Sequence, residues 1–223
     1  MYKILNYEIE ELAQRVLRAY RRLPCFYGKT VFNTDPAILA EQLLHLSIHY
    51  DCLSTKKVLL GLTAFEETDV NLIVSEWQKK TIYLDGKTMY IEEALKKPGA
   101  SRGRLNFTIG HEDSHHILKL AFPNMYAGCN VMAARCVYAR GNKDRQPDEI
   151  LADKLTAELL MPQDAIEYCL YTYGFHGKIR VAFERELLDK EKQLFIYMMN
   201  YLGVSKTALL KRLVDLGYTM EID

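Results

Sequence analysis

The spacing of apolar residues predicts helices at the start of the chain. Between residues 7 and 23, apolar side chains recur at the three- and four-residue intervals of one helical face, and Pro24 ends the pattern. Asp35 followed by Pro36 is typical of a second helix start, with Asp35 as the N-cap and Pro36 at the first helical position. These features predict two N-terminal helices.

Short runs rich in Val, Ile, Leu and Tyr follow and predict strands. The predicted strands cover 46–52, 58–65, 70–76 and 80–84. Asp85-Gly86, directly after the last run, is a turn signal. We expect a small antiparallel sheet beside the two helices, followed by a short helix over 88–96.

Helical patterns dominate the second half of the chain. The predicted helices cover 102–120, 147–161 and 162–174, with an irregular segment over 121–146 and an ambiguous one over 175–190. Residues 193–217 predict two helices joined at Gly203-Val204-Ser205, with Ser205 as the N-cap of the second. This pair is helix-turn-helix-like, and the whole chain is predicted to be α+β and mostly helical.

Composition and charge favour a cytoplasmic globular protein. Apolar residues make up 49% of the 223 positions, enough for a core without disulfides or structural metals. The 29 basic residues balance the 29 acidic ones, so nothing draws the whole chain to nucleic acid or to an anionic membrane. No apolar run is long enough to span a bilayer, and the N-terminus lacks a secretory apolar core. The five cysteines contain no Cys-x-x-Cys pair and are predicted to be free thiols.

The run His111-Glu112-Asp113-Ser114-His115 carries the clearest chemistry. In a helix, His111 and His115 lie one turn apart on one face, so that both imidazoles can bind one metal ion. Glu112 lies about 100° round the helix from His111. That direction suits a base that takes a proton from a metal-bound water, as in zinc hydrolases.

A third ligand is predicted on the helix that begins at Pro147. Glu149 and Asp153 are four residues apart and share one helical face. We predict Glu149 as the third zinc ligand. We predict that Asp153 accepts the other ring N–H of a ligand histidine, most simply His111, and so orients that ring.

Other interpretations of these residues remain open at this point. Glu149 and Asp153 are also what a solvated acidic helix start contains. Asp148 and Glu158 are rival third ligands, although Asp148 points about 100° away from Glu149 and Glu158 sits in the apolar half of its helix. A thiol from Cys129 or Cys136 is a further alternative.

Two stretches resemble the ImmA/IrrE family of zinc metallopeptidases. Residues 103–115, Gly-Arg-Leu-Asn-Phe-Thr-Ile-Gly-His-Glu-Asp-Ser-His, are similar to the family's Arg-Arg-Phe-Thr-Leu-Ala-His-Glu-Leu-Gly-His. Residues 149–162 are similar to its Glu-x-x-Ala-Asn/Asp followed by Ala-x-Leu-Leu-Met-Pro. Gly110 departs from the family's Ala, and Asp113-Ser114 departs from its apolar-Gly pair.

The resemblance implies a cytosolic metalloendopeptidase with one zinc ion per chain. On the matching positions, His111, His115 and Glu149 would bind zinc and Glu112 would be the catalytic base. Such enzymes cut a helix-turn-helix repressor of a mobile element or stress regulon. The implied architecture is a zincin-like metallopeptidase domain over residues 1–190, with a helix-turn-helix-like subdomain over 191–223 packed on it.

The alternative is a regulatory module that binds DNA or a repressor and whose zinc site is structural or catalytically weak. Lys206, Lys211 and Arg212 supply positive charge to the last helix, but Asp215 offsets it. Direct DNA binding is therefore not favoured. Tyr126, Tyr138 and His116 are candidates for a group that stabilises an oxyanion.

Overall fold

The fold is described from a computed structural model that covers residues 4–54, 58–75, 78–126, 131–135, 147–182, 186–187 and 189–221. It is α+β, as predicted. The helices are α1 (Asn6–Tyr20), α2 (Pro36–Ile38, continued by a π-helical turn over Leu39–Leu43), α3 (Arg102–Ala121), α4 (Pro147–Leu160), α5 (Gln163–Thr172), α6 (Asp189–Leu202) and α7 (Lys206–Asp215). The strands are β1 (Ser47–Asp51), β2 (Leu59–Ala64), β3 (Glu67–Ser75), β4 (Gln78–Asp85), β5 (Thr88–Glu92), β6 (Val131–Arg135), β7 (Ile179–Ala182), β8 (Glu186–Leu187) and β9 (Thr219–Glu221).

Both N-terminal helices start where the sequence predicts. The carboxylate of Asp35 accepts a hydrogen bond from the backbone N–H of Ala37 at 2.9 Å, which caps α2, and Pro36 follows in the first turn. Helix α1 ends at Tyr20, and residues 24–26 form a separate 3₁₀ turn. The prediction of a continuous helix to residue 23 therefore overran α1 by one turn.

The predicted helix over 88–96 is wrong for its first half. Residues 88–92 form β5, and only Glu93–Lys96 is helical, as a 3₁₀ turn. Met89 and Ile91 alternate into the core and are fully buried. A five-residue run carries too little periodicity to separate a strand from a helix, and here the pairing with β1 and β2 decides.

The main sheet is mixed, not purely antiparallel. Its strand order is β1-β5-β2-β6, in which β1 pairs with β5 in parallel and β2 pairs with β5 and β6 antiparallel. The long hairpin β3-β4 packs beside it, with Leu72, Ile82 and Leu84 buried against Leu62 and Ala64 of β2. Strand β2 is therefore interior to the fold, and its alternate residues face the hairpin and α3.

Four strands lie in regions for which no element was predicted, and one of them, β9, follows the last predicted helix. Strand β6 falls within 121–146, and β7 and β8 fall within 175–190. Strand β7 pairs with β9 in parallel and with β8 antiparallel. These strands are two to five residues long and gain their partners from distant parts of the chain, so local periodicity does not reveal them.

Helix α3 runs through the interior of the protein. Every residue from Thr108 to His115 is buried, and the N-cap Ser101 accepts a hydrogen bond from the backbone N–H of Arg104. Ile109 packs towards the sheet, whereas Ile117 and Leu118 join α1 and α4 in a second cluster. Because residues 108–115 of α3 are enclosed, their polar side chains must either pair within the protein or lose their charge.

The C-terminal helix pair is present as predicted, and its turn packs on α3. Ser205 caps α7 by accepting a hydrogen bond from the backbone N–H of Ala208. The side chain of Asn106 on α3 donates to the carbonyl oxygen of Gly203 at 2.9 Å. A Cβ on Gly103 would lie 2.3 Å from the backbone nitrogen of Ser205, so the two backbones approach as closely as a glycine allows.

A buried ion pair joins α7 to α4. The guanidinium of Arg212 donates to both carboxylate oxygens of Glu158, at 2.6 and 2.5 Å, and its Nε donates to the carbonyl oxygen of Met161. Both side chains are largely buried, at 8% and 16% exposure. The guanidinium of Arg212 is thus occupied by contacts within the protein, although from the sequence it could be a basic residue of a DNA-reading helix.

Two further predictions concern membranes and thiols. Among the described helices, none combines the length and apolarity needed to cross a bilayer. Cys25, Cys52 and Cys169 are free thiols, as predicted. Cys129 and Cys136 lie outside the described residues.

We expect Arg212→Met to lower the free energy of unfolding by about 3 kcal/mol, because it leaves the Glu158 carboxylate buried without its partner. Urea denaturation measures this loss. Adding Glu158→Leu should restore most of it, since apolar side chains then replace both charges. Lys97→Met removes an exposed pair with Glu93 and serves as the control, with a change below about 0.5 kcal/mol. Equal losses in the two single variants would contradict the interpretation.

Candidate metal centre

His111 and His115 face the same neighbour, helix α4, from consecutive turns of α3. Their Nε2 atoms are 3.1 Å apart, and their rings meet edge to face at 4.7 Å between centroids. Both side chains are buried, at 5% and 0% exposure. The helical spacing therefore brings the two imidazoles to one point, as the sequence predicts.

Glu149 of α4 completes a triangle of side-chain groups that could bind one ion. Its Oε2 lies 3.3 Å from Nε2 of His111, and its Oε1 lies 3.4 Å from Nε2 of His115. Among the described residues, these three form the group of side chains that could hold a metal ion. The rival Glu158 is paired with Arg212 instead, Asp148 is not part of the group, and the thiols of Cys129 and Cys136 lie outside the described residues.

The three side chains are close enough to share one metal ion. Zinc binds nitrogen and oxygen at about 2.0–2.1 Å in tetrahedral geometry, which separates neighbouring ligand atoms by about 3.3 Å. The two Nε2 atoms are 3.1 Å apart, and each lies 3.3–3.4 Å from one oxygen of Glu149, Oε2 for His111 and Oε1 for His115. The nearest distances between the three groups are therefore close to that separation. Two histidines and one carboxylate are also the ligand set of zinc sites that keep a fourth position for water or substrate.

Asp153 forms a hydrogen bond with the other ring nitrogen of His111. Its Oδ1 accepts a hydrogen bond from Nδ1 of His111 at 2.9 Å, as the sequence predicts. Because a carboxylate can only accept, the Nδ1 atom carries the hydrogen, and Nε2 of the neutral ring keeps its lone pair for a metal. Asp153 is one turn past Glu149, so a single face of α4 would supply both a ligand and the group that orients another ligand.

The charges around the triangle favour a cation. Burial disfavours the His111 imidazolium, but hydrogen bonds to Asp153 and Glu149 outweigh it and raise its pKa to about 10. Burial also opposes ionisation of Glu149, yet hydrogen bonds to His111 and His115 hold its pKa well below the usual range. The pKa of His115 is lowered, chiefly by burial. Without a metal, a proton on His111 therefore supplies the positive charge that two carboxylates require.

Small side chains allow α3 and α4 to approach at the centre. A Cβ on Gly110 would lie 3.2 Å from Cγ2 of Thr156, closer than most such contacts. The hydroxyls of Ser114 and Thr156 are 2.9 Å apart, and both lie within hydrogen-bonding distance of the carbonyl oxygen of Gly110, at 2.7 and 3.1 Å. Gly110 and Ser114, which differ from the ImmA/IrrE pattern, therefore fit the close packing that brings Glu149 to the histidines.

Glu112 is fully buried on the side of α3 that faces the sheet. It lies against Gly61 of β2, where a Cβ would come within 2.3 Å of the Oε1 atom of Glu112. The sequence predicts the direction of Glu112 but not this neighbour. A glycine inside an otherwise apolar strand run is a signal of close backbone approach, and it could have identified Gly61.

Asp113 is also fully buried, and it faces away from the ligands. Neither of its carboxylate oxygens has a hydrogen-bond partner among the described residues. Burial, together with the charges of Glu112 and Asp35, raises the pKa of Asp113 well above its ordinary value. The carboxyl group therefore favours its protonated form, and Asp113 substitutes for an apolar residue by losing its charge.

His116 is turned towards β2. Its Nε2 lies 2.6 Å from the hydroxyl oxygen of Thr63, and its ring meets Phe65 edge to face. Burial, with the charges of His115 and Lys119, lowers the pKa of His116 to about 4, so the ring is neutral. Of the other two candidates for oxyanion stabilisation, Tyr126 ends the 3₁₀ turn Pro123–Tyr126, and Tyr138 lies outside the described residues.

We expect zinc binding to release about one proton near pH 7.5, because the metal must displace the Nε2 hydrogen that His111 holds up to about pH 10. Below about pH 10, the apparent affinity for zinc should rise roughly tenfold per pH unit, since a higher pH removes the proton that competes with zinc for His111. Calorimetry in buffers of different ionisation enthalpy measures the release. Asp153→Asn should reduce it, and binding that is independent of pH would contradict the predicted role of His111.

We expect Asp113→Asn to stabilise the metal-free protein at neutral pH. The pKa of Asp113 is raised on folding, so above its ordinary value of 3.8 the unfolded wild type gains stability by releasing a proton that the folded protein retains. The advantage of the neutral variant should therefore grow by about 1.4 kcal/mol per pH unit from pH 5 upwards, until the folded pKa is reached.

Urea denaturation at pH 5, 6 and 7 tests this stability difference. Asp85→Asn is the control, because the hydrogen bonds from Lys87 and Thr88 outweigh partial burial and lower the pKa of Asp85. Asparagine there should bring no such gain. A stability difference at position 113 that stays constant with pH would show that the buried carboxyl does not retain its proton.

No protein-family model matches this chain, and no curated protein matches its sequence. The metal centre is therefore inferred from the residues and the geometry of this chain.

Proposed function

We propose that the protein is a zinc-dependent endopeptidase, with one zinc ion per chain. The observation that carries the proposal is the group of His111, His115 and Glu149, whose nearest N···N and N···O distances are 3.1–3.4 Å, with Asp153 hydrogen-bonded to His111. Three protein ligands leave a fourth tetrahedral position, which is typical of catalytic zinc and not of structural zinc. Glu112, next to the first ligand, supplies the base that such chemistry needs.

The residues then divide the reaction between them. When bound, zinc lowers the pKa of a water molecule and polarises the peptide carbonyl. Glu112 accepts the proton of the attacking water and later donates it to the leaving amine. Asp153 keeps the Nδ1 hydrogen on His111 and so holds the ring in the tautomer that exposes Nε2 to the metal. Ser114 and Thr156 keep α3 and α4 at the distance that the ligand triangle requires.

We propose a protein as the substrate, and specifically a helix-turn-helix repressor in the cytoplasm. The resemblance of residues 103–115 and 149–162 to the ImmA/IrrE motifs supports this choice, since members of that family cut such repressors. The environment of α7 supports a protein partner over DNA. Arg212 is buried in its pair with Glu158, and the exposed charges of α7 are Lys206, Lys211 and Asp215.

We expect Glu112→Gln to retain zinc and to lose cleavage by at least about 100-fold, because the amide keeps the size of the side chain but accepts no proton. Zinc content is measured on the purified protein. Cleavage is measured by mass spectrometry, with purified helix-turn-helix repressors from the same organism as candidate substrates. Removal of zinc by a chelator should abolish cleavage, and added zinc should restore it.

The possible results separate a catalytic zinc site from a structural one. A Glu112→Gln variant that cleaves like the wild type would exclude Glu112 as the base. Cleavage that persists in a chelator would exclude the metal. A zinc-loaded wild type that binds the repressor without cutting it would support the alternative, a binding module with structural zinc.

A further inference from the structure

We infer that Gly61 is a positioning residue for Glu112. Because Gly61 has no side chain, there is space beside β2 in which the Glu112 carboxylate lies. The inference rests on the proposed function, in which Glu112 is the base. It concerns a residue of β2 that lies 51 positions before Glu112 and belongs to neither sequence motif.

The contact between the two residues is close. A Cβ built on Gly61 would lie 2.3 Å from Oε1 of Glu112 and 3.0 Å from both its Cδ and its Cγ atoms. Real Cβ atoms essentially never approach another heavy atom to less than 3.0 Å. The carboxylate and the end of its methylene stem thus occupy the volume that any other amino acid at position 61 would fill.

Backbone conformation does not explain this glycine. Seven other glycines of the described residues have positive φ, where glycine is favoured, but Gly61 is not among them. An alanine at an ordinary strand conformation is normally stabilising, because it restricts the unfolded chain. Space for Glu112, not conformational freedom, is what a glycine supplies at this position.

Neither partner can move aside easily. Gly61 lies in an interior strand, paired with Ile91 of β5 on one side and with Ala134 of β6 on the other. Glu112 is fully buried on the enclosed helix α3. A side chain at position 61 would therefore displace the Glu112 carboxylate within a packed interior, and it would move the base relative to the ligands.

The register of β2 against α3 supports this assignment. Thr63 contacts the ring of His116, one turn past Glu112, and Phe65 packs on the same ring. Gly61 and Thr63, two residues apart on β2, thus face successive turns of α3, as the two-residue period of a strand requires. The pairing of β2 with β6 shifts between Leu59 and Gly61, and irregularities of this kind re-aim strand residues near functional sites.

Gly61→Ala tests the inference. We expect zinc affinity to stay within about threefold of wild type, because no ligand or its hydrogen-bond partner is touched. The Km for the repressor should change little. The kcat should fall by about 100-fold, the effect of a misplacement of about 1 Å in a catalytic group. A crystal structure of the variant should show the Glu112 carboxylate displaced from its wild-type position.

Thermal unfolding of the metal-free protein supplies a readout that needs no substrate. Gly61→Ala should lower Tm by about 3 °C or more. In the Glu112→Ala background the same substitution should not lower Tm, because the atoms that it meets are gone. The control is Gly103→Ala, whose Cβ meets the backbone of Ser205 at the same 2.3 Å. Its loss of Tm should be the same with and without Glu112→Ala.

The outcomes separate the inference from the proposed function. If wild type with zinc cuts no repressor, the proposed function fails, and the role of Gly61 in catalysis fails with it, whatever Tm shows. If wild type cuts and Gly61→Ala cuts equally well, only the inference is overturned. If Gly61→Ala does not fold, recovery of folding by Glu112→Ala supports the contact, and continued failure to fold overturns it.

Discussion

The candidate metal centre depends on how closely α3 and α4 approach each other. The two histidines lie on α3 and the carboxylate on α4, so the ligand triangle exists only at one separation of the helices. Gly110, Ser114 and Thr156 permit that separation, because larger side chains would push the axes apart. A displacement of 1 Å would be a third of each edge of the triangle, and zinc bond lengths vary far less than that.

The packing of α3 against α4 also brings several carboxylates into a buried region of the protein. Glu112, Asp113, Glu149 and Asp153 all lie on the facing or neighbouring turns of α3 and α4, and two of them are fully buried. Three features reduce the cost of these buried negative charges. Asp113 favours its neutral form, Asp153 accepts a hydrogen bond from a ring N–H, and the charge of Glu149 is balanced by the protonated His111. A divalent cation between these ligands would supply the compensating charge that the proton on His111 supplies without one.

The sequence predicts the parts of this site that depend on helical spacing. Four-residue intervals place His111 with His115, and Glu149 with Asp153, on one face of their own helix, and caps at Asp35 and Ser205 follow from local hydrogen bonding. It does not predict β5, whose parallel partner β1 is remote in sequence, or the pairing of β7 with β9. It also does not predict Gly61, since the neighbour of Glu112 depends on how β2 packs across α3. Contacts between elements, unlike faces within one element, carry no period along the chain.

The C-terminal helix pair contacts both helices that carry the candidate metal centre. Its turn packs on the first residues of α3, through Asn106 and Gly103, and its second helix binds the end of α4, through Arg212 and Glu158. The contacts on α3 lie about one and a half to two turns before His111, and the contact on α4 lies more than two turns after Glu149. The pair therefore constrains the two ligand-bearing helices at points outside the site, where neither contact competes with the metal. A helix-turn-helix-like shape here is explained by packing, and it requires no role in reading DNA.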